Sequence, residues 1–459
     1  MTLSRRQLFK AAAGAALAPA ALSFAQSQPT IDPDDDALLE EISHASFRYF
    51  VDLANPATGL VPDKTSAPFL CSIAAQGYAF AAWMIGADRG WMLREQAEDL
   101  CNRSLQKLLD TSSHHLGIVA HYLDTRTGEV TNEPYEKAAS TIDSALMVAG
   151  AIAAGEYFGG DIRQKANELF ARMDWKAWSD PARNGRVPMA WTPTNPADFA
   201  GPGSYSGATW DWYTDEALLV SLLGICAPDP AKRLGPVLAM VNWARPVGSY
   251  GPHTYIYSFP GTLFTYTFAQ TYFDFRVLGG DLLNVNWWNN TREAVRANRD
   301  WCRANAATWP TFGQDRWGIT ACFSPTGYSV PGHQPRGAEG DDAAGGTLAP
   351  YGAGMAVLWE PADSIAALRH MRGLTVGGQP VFVPVSEGGF GFRDAFNIGA
   401  NWVANDNLGI AHGPMLLSIE NYRSGLVFSS FLRNPAIRAG LVSTGFEVPP
   451  LPSTKWAFR

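Results

Sequence analysis

The chain has no excess of positive charge and no long apolar run in its main part. Its 459 residues include 35 basic and 43 acidic side chains, which give a formal net charge of −8. Proteins that bind nucleic acid usually present clustered Lys and Arg, and no such stripe occurs, so we expect no nucleic-acid partner. After the first 25 residues there is no run of about twenty apolar residues, which predicts no membrane span.

Several well-known catalytic motifs are also missing. The chain has no glycine-rich nucleotide loop that opens a helix after a strand, no Gly-x-Ser-x-Gly elbow and no His-Glu-x-x-His zinc pattern. The histidines are scattered, and for His114-His115 an exposed turn is preferred over a metal site. The five cysteines lie far apart, which favours buried free thiols: Cys71, Cys101, Cys226, Cys302 and Cys322. We therefore expect neither a metal nor an organic cofactor.

The N-terminal residues are typical of an export signal. Arg5-Arg6 lies within a Ser-Arg-Arg-Gln-Leu-Phe-Lys pattern, an Ala-rich apolar stretch follows over 11–21, and Ser23-Phe24-Ala25 supplies small residues for cleavage. A charged start, an apolar middle and a small-residue end predict a twin-arginine signal peptide. The alternative is an ordinary amphipathic helix. We expect residues 1–25 to be removed and the protein to be periplasmic or secreted, as a monomer or weak oligomer.

Residues 26–459 show no linker, charge block or low-complexity run and predict a single domain. Two strand signals, 117–122 and 379–384, are outnumbered by helical patterns with apolar i, i+3, i+4 spacing, at 38–53, 73–85, 94–109, 141–157, 162–173, 216–225, 264–277, 287–305, 364–374 and 414–432. Some segments, such as 145–152, are apolar all round, as expected of helices enclosed by other helices. The fold class is therefore all-α, with an α/α toroid preferred over a solenoid because no fixed-period repeat occurs.

One candidate site lies at the start of the helix predicted over 216–225. Trp210, Trp212 and Tyr213 precede Asp215 and Glu216 within seven residues. Aromatic rings stack on sugars, and a glycosidase needs one carboxylic acid for the leaving oxygen and a second carboxylate for water or the anomeric carbon. A purely structural alternative is that these acids complement the helix dipole behind a Thr214 cap.

Two further segments carry acids that could serve as the second carboxylate. Ser140-Thr141-Ile142-Asp143 precedes an apolar helix, where Ser140 and Asp143 could also form a capping box. Asn401-Trp402-Val403-Ala404-Asn405-Asp406-Asn407 is a polar and aromatic loop before the helix predicted at 414. The long Gly- and Pro-rich segment 324–350 is interpreted as a loop, and long loops in compact domains are often functional.

The chain resembles the bacterial glucoamylase-like family that includes the endo-β-1,2-glucanases, over roughly residues 47–432. The resemblance rests on blocks that occur in the family's order: Gly86-Ala87-Asp88-Arg89-Gly90-Trp91, Ser140-Thr141-Ile142-Asp143, Tyr213-Thr214-Asp215-Glu216-Ala217, Phe264-Thr265-Tyr266, Asp274-Phe275-Arg276, Trp317-Gly318-Ile319-Thr320-Ala321-Cys322, Gly346-Thr347-Leu348-Ala349-Pro350, Ser364-Ile365-Ala366-Ala367-Leu368-Arg369, Gly391-Phe392-Arg393-Asp394-Ala395-Phe396-Asn397, Gly413-Pro414 and Ile419-Glu420-Asn421-Tyr422-Arg423.

The resemblance implies an (α/α)6 barrel with a long loop-lined cleft at one end and a β-glucan substrate, with β-1,2-linkage favoured. Glu216 is expected to be the general acid, and Asp143 and Asp406 are candidates for the base or for positioning water. Candidate sugar contacts are Arg89, Trp91, Trp212, Tyr213, Arg276, Trp317 and Trp402. Because helix axes in contact lie about 8–10 Å apart, a wide carboxylate pair and therefore inversion at the anomeric carbon are expected.

Three positions depart from the family's pattern. Ala138-Ala139 stands where an acid is usual, Ala411-His412 replaces an Asp-Gln pair, and Phe268-Ala269-Gln270 differs from the usual aromatic and His character. A transglycosylase or glycoside phosphorylase on the same barrel is one alternative, with Arg316 and Arg336 as basic candidates for phosphate. A non-catalytic glycan-binding protein is another. Endo or exo action stays open.

Overall fold

The computed structural model describes residues 30–179, 185–338 and 345–450. The predicted signal peptide, residues 1–25, lies outside these residues. Helices dominate the described part of the chain: α1 (Pro33–Asp52), α2 (Ile73–Asp88), α3 (Arg94–Thr111), α4 (Thr141–Phe158), α5 (Gly160–Arg172), α6 (Trp175–Trp178), α7 (Asp215–Cys226), α8 (Pro236–Val241), α9 (Phe275–Leu278), α10 (Trp287–Ala304), α11 (Pro350–Met355), α12 (Pro361–Arg372), α13 (Gly409–Arg423), α14 (Leu426–Phe431) and α15 (Pro435–Ser443).

Strands are short and form small antiparallel pairs in the loops. They are β1 (Leu70–Ser72), β2 (His114–His115), β3 (Ile118–Val119), β4 (Tyr122–Asp124), β5 (Ala139–Ser140), β6 (Ala190–Pro193), β7 (Gly203–Tyr205), β8 (Val247–Tyr250), β9 (His253–Ile256), β10 (Cys322–Ser324), β11 (Gly327–Ser329), β12 (Thr375–Val376), β13 (Gln379–Pro380), β14 (Phe382–Val383), β15 (Gly391–Phe392), β16 (Phe396–Asn397) and β17 (Trp402–Val403). The three strands β5, β6 and β7 form one sheet, and β1 pairs with β4. The sequence showed only two of these regions.

Two layers of helices confirm the predicted all-α toroid. The inner layer contains α2, α4, α7, α11 and α13, and the segment 263–278 occupies the remaining inner position between α7 and α11. Helices α2 and α4 are buried along nearly their whole length, as expected of the apolar segments. Outer helices such as α1, α3, α5 and α12 cover this layer.

Glycines set how closely the inner helices approach each other. A Cβ atom on Gly77 of α2 would lie 2.3 Å from the Leu146 carbonyl oxygen, and one on Gly150 of α4 would lie 1.8 Å from the Gly77 carbonyl oxygen. Both distances are far below a van der Waals contact. The α2–α4 contact therefore requires glycine at these two positions.

The inner helices α2, α4 and α13 run in the same direction. Their C-terminal ends meet, because Tyr157 of α4 donates to Asp88 of α2 and Glu420 of α13 pairs with Arg89. At the other end, the Gly409 N–H at the start of α13 donates to the Asp63 carbonyl, and the Ile73 N–H at the start of α2 donates to the His121 carbonyl. A helix of 16 residues such as α2 is about 24 Å long, so the two ends of the barrel are well separated.

The predicted continuous helix over 264–277 is wrong. The structure has two 3-10 turns, Leu263–Tyr266 and Ala269–Thr271, followed by α9. Gln270 explains the break, because both its backbone N–H and its side-chain amide donate to the Asp215 carboxylate, at 3.2 and 3.4 Å. Asp274 then caps α9 by accepting from the Arg276 N–H.

The predicted helix over 414–432 is also wrong in its bounds. Helix α13 begins earlier, at Gly409, and contains Pro414. It ends at Arg423, and Gly425 then adopts a φ of 71°, a left-handed conformation that favours glycine, before α14 begins. The other predicted helices are present, with ends that differ by a few residues.

The cysteines agree with the sequence-based interpretation, and the histidine pair does not. The five cysteines are buried and unpaired, which confirms their interpretation as free thiols. His114-His115 is not an exposed turn, because the pair forms β2 and the His115 ring stacks on Trp191 with 3.9 Å between ring centroids.

None of the helices within residues 30–179, 185–338 and 345–450 has the length and apolar character needed to span a membrane.

Candidate active site

The predicted acids lie at the N-terminal ends of inner helices, where caps fix the local backbone. Thr214 caps α7 by accepting from the Ala217 N–H at 3.0 Å, and Ser140 caps α4 by accepting from the Asp143 N–H at 3.5 Å. The Thr214 and Ser140 caps are therefore confirmed, but the reciprocal bond of a capping box is not formed, because the Asp143 carboxylate accepts from the Ser140 hydroxyl. The same caps place Glu216 and Asp143 in the first turns of their helices.

Glu216 is the acid of this group with the strongest tendency to hold its proton. Burial, together with the nearby Asp143 and Asp215 carboxylates, raises the pKa of Glu216 to about 8. A carboxyl with this pKa is mostly protonated at neutral pH and can therefore donate a proton. Helices α4 and α7 pack against each other, and Asp143 is one of the groups that raise the pKa of Glu216, so we assign the two side chains to one site.

The adjacent Asp215 has a different environment. It is fully buried, and its carboxylate accepts hydrogen bonds from the backbone and side chain of Gln270. Burial raises the pKa of Asp215 to about 7, and the Gln270 hydrogen bonds oppose that rise. Asp215 therefore ties α7 to the inner segment 263–278, and Glu216 is the residue of the pair that is left partly accessible.

Asp143 is nearly buried and has two polar neighbours. The Ser140 hydroxyl donates to one carboxylate oxygen, and His121 Nε2 lies 3.4 Å from the other. The opposite ring nitrogen of His121, Nδ1, lies 3.0 Å from the Glu136 carboxylate. Burial alone would lower the pKa of His121, but Asp143, Glu136 and Asp63 outweigh it and raise the pKa above its ordinary value.

Two further acids of the site, Asp63 and Asp394, were missed from the sequence. Burial raises the pKa of Asp63 to about 6, with Lys64 and His121 opposing the rise and Asp143 and Asp406 adding to it. Asp63 lies in an irregular loop with no motif that would single it out. It comes into the site because its backbone carbonyl accepts from the first N–H of α13.

Asp394 was within a sequence block of the family but was not selected as a site residue. It is 3% exposed, and one carboxylate oxygen accepts from the Phe323 N–H at 2.6 Å, while the other has no hydrogen-bond partner. Burial raises the pKa of Asp394 to about 7, with added repulsion from Asp406 and Asp63. Its place directly after Gly391-Phe392-Arg393, in a block shared with the family, could have marked Asp394 as a candidate site residue.

Asp406 lies beside these acids but its side chain is occupied. Its carboxylate accepts from the Thr65 hydroxyl at 2.9 Å and from the Ser66 N–H and hydroxyl at 2.8 Å each. These bonds hold the turn that follows Asp63. The structure therefore brings all three predicted acids to one end of the barrel, where Asp143 contributes to the raised pKa of Glu216 and Asp406 contributes to those of Asp63 and Asp394.

One lysine lies among these carboxylates. The Lys64 ammonium is 5.2 Å from the ring centroid of Tyr135 and 5.3 Å from that of Phe323, both within cation–π range. Tyr135 belongs to the loop before β5, and Phe323 belongs to β10. Lys64 thus connects loops from two sides of the site.

Four of the predicted aromatic sugar contacts differ in how far their rings are buried. Tyr213 and Trp317 are fully buried, and Tyr213 stacks on Trp287 at 4.6 Å, so a direct sugar contact is wrong for both. Trp212 is half-buried beside Phe259, at 5.6 Å between ring centroids. Trp402 is half-buried in β17 opposite Asn397. Of these four rings, Trp212 and Trp402 are the ones that stay partly accessible.

Three other predicted contacts lie away from the acids. Arg89 pairs with Glu420 at 2.8 Å and the Trp91 indole donates to Glu40 at 2.7 Å, both at the C-terminal end of α2. Arg276 pairs with Asp274 at 2.7 Å, and its guanidinium lies over Phe428, beyond the C-terminal end of α13. The structure therefore does not bring these side chains to the site, because the length of the inner helices separates the two ends of the barrel.

Exposed rings near the acids were not singled out from the sequence. Tyr328 is 50% exposed and packs against Phe323, and Phe69 is 47% exposed beneath the Arg126 guanidinium. A cavity of about 540 Å³ adjoins β10 and β11, and its lining includes Thr326, Ser329 and Asn397. The cavity and the exposed Tyr328 ring show that the loops around β10 and β11 are open to solvent.

Comparisons with known proteins agree with this architecture. Residues 208–435 match a family model described as "Putative glucoamylase". The chain is 23% identical over 452 residues to a curated exo-β-1,2-glucooligosaccharide sophorohydrolase (non-reducing end) of Parabacteroides distasonis, an alignment that covers 90% of this chain and 58% of the relative. The chain thus spans less than two thirds of the length of that protein.

Two solved structures show the same fold. An endo-β-1,2-glucanase from Chitinophaga pinensis, in complex with sophorotriose and glucose, has a TM-score of 0.77 at 22% identity and covers 90% of this chain and 99% of its own. A Bacteroides uniformis protein described, like the family model, as a glucoamylase has a TM-score of 0.76 at 26% identity, with 92% and 100% covered. The family resemblance seen in the sequence and the (α/α)6 fold class are confirmed.

Proposed function

We propose that this chain, which belongs to the glucoamylase-like family through residues 208–435, is a glycoside hydrolase that cleaves β-1,2-glucosidic bonds. The observation that carries the proposal is the Glu216–Asp143 pair. Glu216 holds a proton near neutral pH, while Asp143 lies 3.4 Å from His121 Nε2. Acid/base cleavage of a glycosidic bond requires one protonated carboxylic acid and a second carboxyl group.

Each residue has a distinct role in this chemistry. Glu216 donates its proton to the leaving glycosidic oxygen as the bond to the anomeric carbon breaks. The Asp143 carboxylate accepts a proton from the attacking water, and Asp406 is the second candidate for that role. Half-buried Trp212 and Trp402, with the exposed Tyr328 ring, are the candidate faces on which glucosyl units stack.

The similar proteins support the choice of linkage. The Parabacteroides distasonis relative is described as releasing sophorose units from β-1,2-glucooligosaccharides, and the Chitinophaga pinensis structure is described as an endo-β-1,2-glucanase. The test is incubation with β-1,2-, β-1,3-, β-1,4- and β-1,6-glucans of matched length, with products followed by chromatography. We expect release of short β-1,2-linked oligosaccharides only. Cleavage of another linkage at equal or greater rate would contradict the proposed specificity.

Stereochemistry gives an independent prediction. Glu216 and Asp143 are carried by neighbouring helices, whose axes lie about 8–10 Å apart when in contact, and inverting enzymes place their carboxyl groups about 6.5–9.5 Å apart. We therefore expect inversion, so that proton NMR of the first product from a β-linked glucan shows the α-anomer before mutarotation. An initial β-anomer would instead indicate a nucleophile, and Glu133 and Glu136 would then be the first residues to replace.

The alternative activities have weaker support in the structure. For phosphorolysis, Arg316 donates to the Thr311 carbonyl at 2.8 Å and Arg336 to the Gly332 carbonyl at 3.4 Å, so both guanidinium groups hold the chain's own backbone. Product analysis with and without phosphate separates phosphorolysis from hydrolysis and detects transglycosylation products. Binding of β-1,2-glucan without any turnover would identify a non-catalytic glycan-binding protein.

A further inference from the structure

The side chains of Asp143, His121 and Glu136 form a line from the interior of the site to solvent. The Asp143 side chain is 9% exposed, that of His121 is 21% exposed and that of Glu136 is 54% exposed. His121 Nε2 lies 3.4 Å from Asp143, and Nδ1 lies 3.0 Å from Glu136. Both ring nitrogens therefore face a carboxylate, an arrangement that a doubly protonated imidazolium satisfies by donating on both sides.

The surroundings of His121 hold the orientation of its ring and raise its pKa. The imidazole stacks on Tyr122 of β4, with 3.8 Å between ring centroids and an interplanar angle of 19°. Three carboxylates raise the pKa of His121: Asp143 from α4, Glu136 from the loop before β5, and Asp63 from the loop before β1. Lys64, next to Asp63, is the neighbouring cation and acts on Asp63. The net environment of the ring is anionic.

We propose that His121 is a positioning residue that, held against Glu136 through Nδ1, presents its Nε2–H and a positive charge to the Asp143 carboxylate and so orients it in the site. This inference rests on the proposed glycosidase function. It explains how two acids in one buried site can divide the acid and base roles. Glu216 has carboxylates as neighbours, which raise its pKa, whereas Asp143 has the His121 imidazole at 3.4 Å.

The geometry separates this role from a direct catalytic one. His121 contacts Asp143 through Nε2, and in the described part of the chain it makes no hydrogen bond or ion pair with Glu216, so it acts on the reaction through Asp143. Glu136 is mostly exposed and contacts the imidazole from the outer side. Substituting either residue should therefore change the protonation and orientation of Asp143 while leaving both carboxyl groups present.

The first measurement needs no substrate. Proton NMR of the histidine ring signals, with His121 assigned by its absence in His121→Gln, gives the midpoint of its titration. An opposite charge within about 4–6 Å shifts a pKa by 1–3 units, so Asp143→Asn and Glu136→Gln should each lower this midpoint by about one unit. An unchanged midpoint in both variants would overturn the proposal, whether or not the protein cleaves β-1,2-glucan.

The second measurement is the pH–rate profile on β-1,2-glucan. His121→Gln should lower kcat by about 10- to 100-fold through misplacement of Asp143, and the acidic limb of the profile should move about one unit upward. Glu136→Gln should shift the same limb by a smaller amount. A lower kcat with an unmoved acidic limb in His121→Gln would show a merely structural role and would also overturn the proposal.

The chain provides a matched control in His253. This side chain is also held between two carboxylates, with Nδ1 2.9 Å from Glu293 and Nε2 2.9 Å from Asp300, in the contact between β9 and α10. His253→Gln therefore removes an equivalent clamp that has no contact with Glu216 or Asp143. It should leave the acidic limb of the pH–rate profile in place. An equal shift in His253→Gln and His121→Gln would assign the effect to general loosening of the fold.

Discussion

Replacement of Glu216 with Gln is expected to lower kcat by about 10²–10⁴-fold, the usual contribution of a general acid. Gln keeps the size and hydrogen-bonding capacity of the side chain but supplies no acidic proton. Burial raises the pKa of Glu216 to about 8, so the wild-type rate should fall as pH rises through that region, and this basic limb should disappear in the variant. The checks are steady-state kinetics on β-1,2-glucan and a pH–rate profile.

The same substitution should not destabilise the fold. A carboxyl whose pKa is raised by burial favours the protonated state, and the neutral Gln amide resembles that state. The melting temperature near neutral pH should therefore stay constant or rise slightly. Thermal unfolding followed by circular dichroism checks this, and a variant that unfolds easily but turns over normally would show that Glu216 only complements the helix dipole.

A matched control for Glu216 exists on the outer surface of the barrel. Glu95 is the second residue of α3, as Glu216 is the second residue of α7, and it is exposed. Glu95→Gln makes the same substitution at the same helix position without touching the site, and it removes a charge exposed to solvent. Its kcat should equal that of the wild-type protein, and only a small loss of stability, about 0.3–1 kcal/mol at low ionic strength, is expected from the helix dipole.

Replacement of Asp143 with Asn has the second large expected effect. If Asp143 accepts the proton of the attacking water, kcat should fall by about 10²–10⁴-fold. Asn can still accept the Ser140 hydroxyl hydrogen bond, and the Ser140 cap of α4 is unaffected, so the helix start should be retained. Kinetics on β-1,2-glucan together with the melting temperature measure the two consequences separately.

Comparison with Asp406→Asn identifies the base. The Asp406 carboxylate accepts three hydrogen bonds from Thr65 and Ser66, so its neutralisation should loosen that turn and lower the melting temperature. The rate should fall less than in Asp143→Asn. A larger loss of rate in Asp406→Asn than in Asp143→Asn would transfer the role of base to Asp406 and would falsify the assignment of Asp143.

The inner helices and the acids on their first turns could be predicted from the sequence because their signals are local. Segment 145–152 is apolar on every side, which only an enclosed helix satisfies, and α4 is buried accordingly. Thr214 and Ser140 precede apolar runs at cap positions, and both accept the expected backbone hydrogen bonds. Glu216 and Asp143 follow these caps, so their place at one end of the barrel was already contained in local pattern and family resemblance.

Helix boundaries were less certain where distant residues compete with the local pattern. The apolar spacing of 264–277 is compatible with a helix, but Asp215, more than fifty positions earlier, takes the hydrogen bonds of Gln270. The chain therefore turns where a helix would continue. The residues on either side of Gln270 give no local pattern from which this long-range contact could be predicted.

The final composition of the site was decided by tertiary structure alone. Tyr213 and Trp317 are buried, while Tyr328 is half exposed, and nothing in an aromatic residue's identity distinguishes a core ring from a sugar platform. Arg89 lies at the far end of the barrel because α2 is about 24 Å long. Asp63 joins Asp394 and Asp406 only because loops separated by more than three hundred residues meet at the start of α13, and long-range packing of that kind is set by the whole fold.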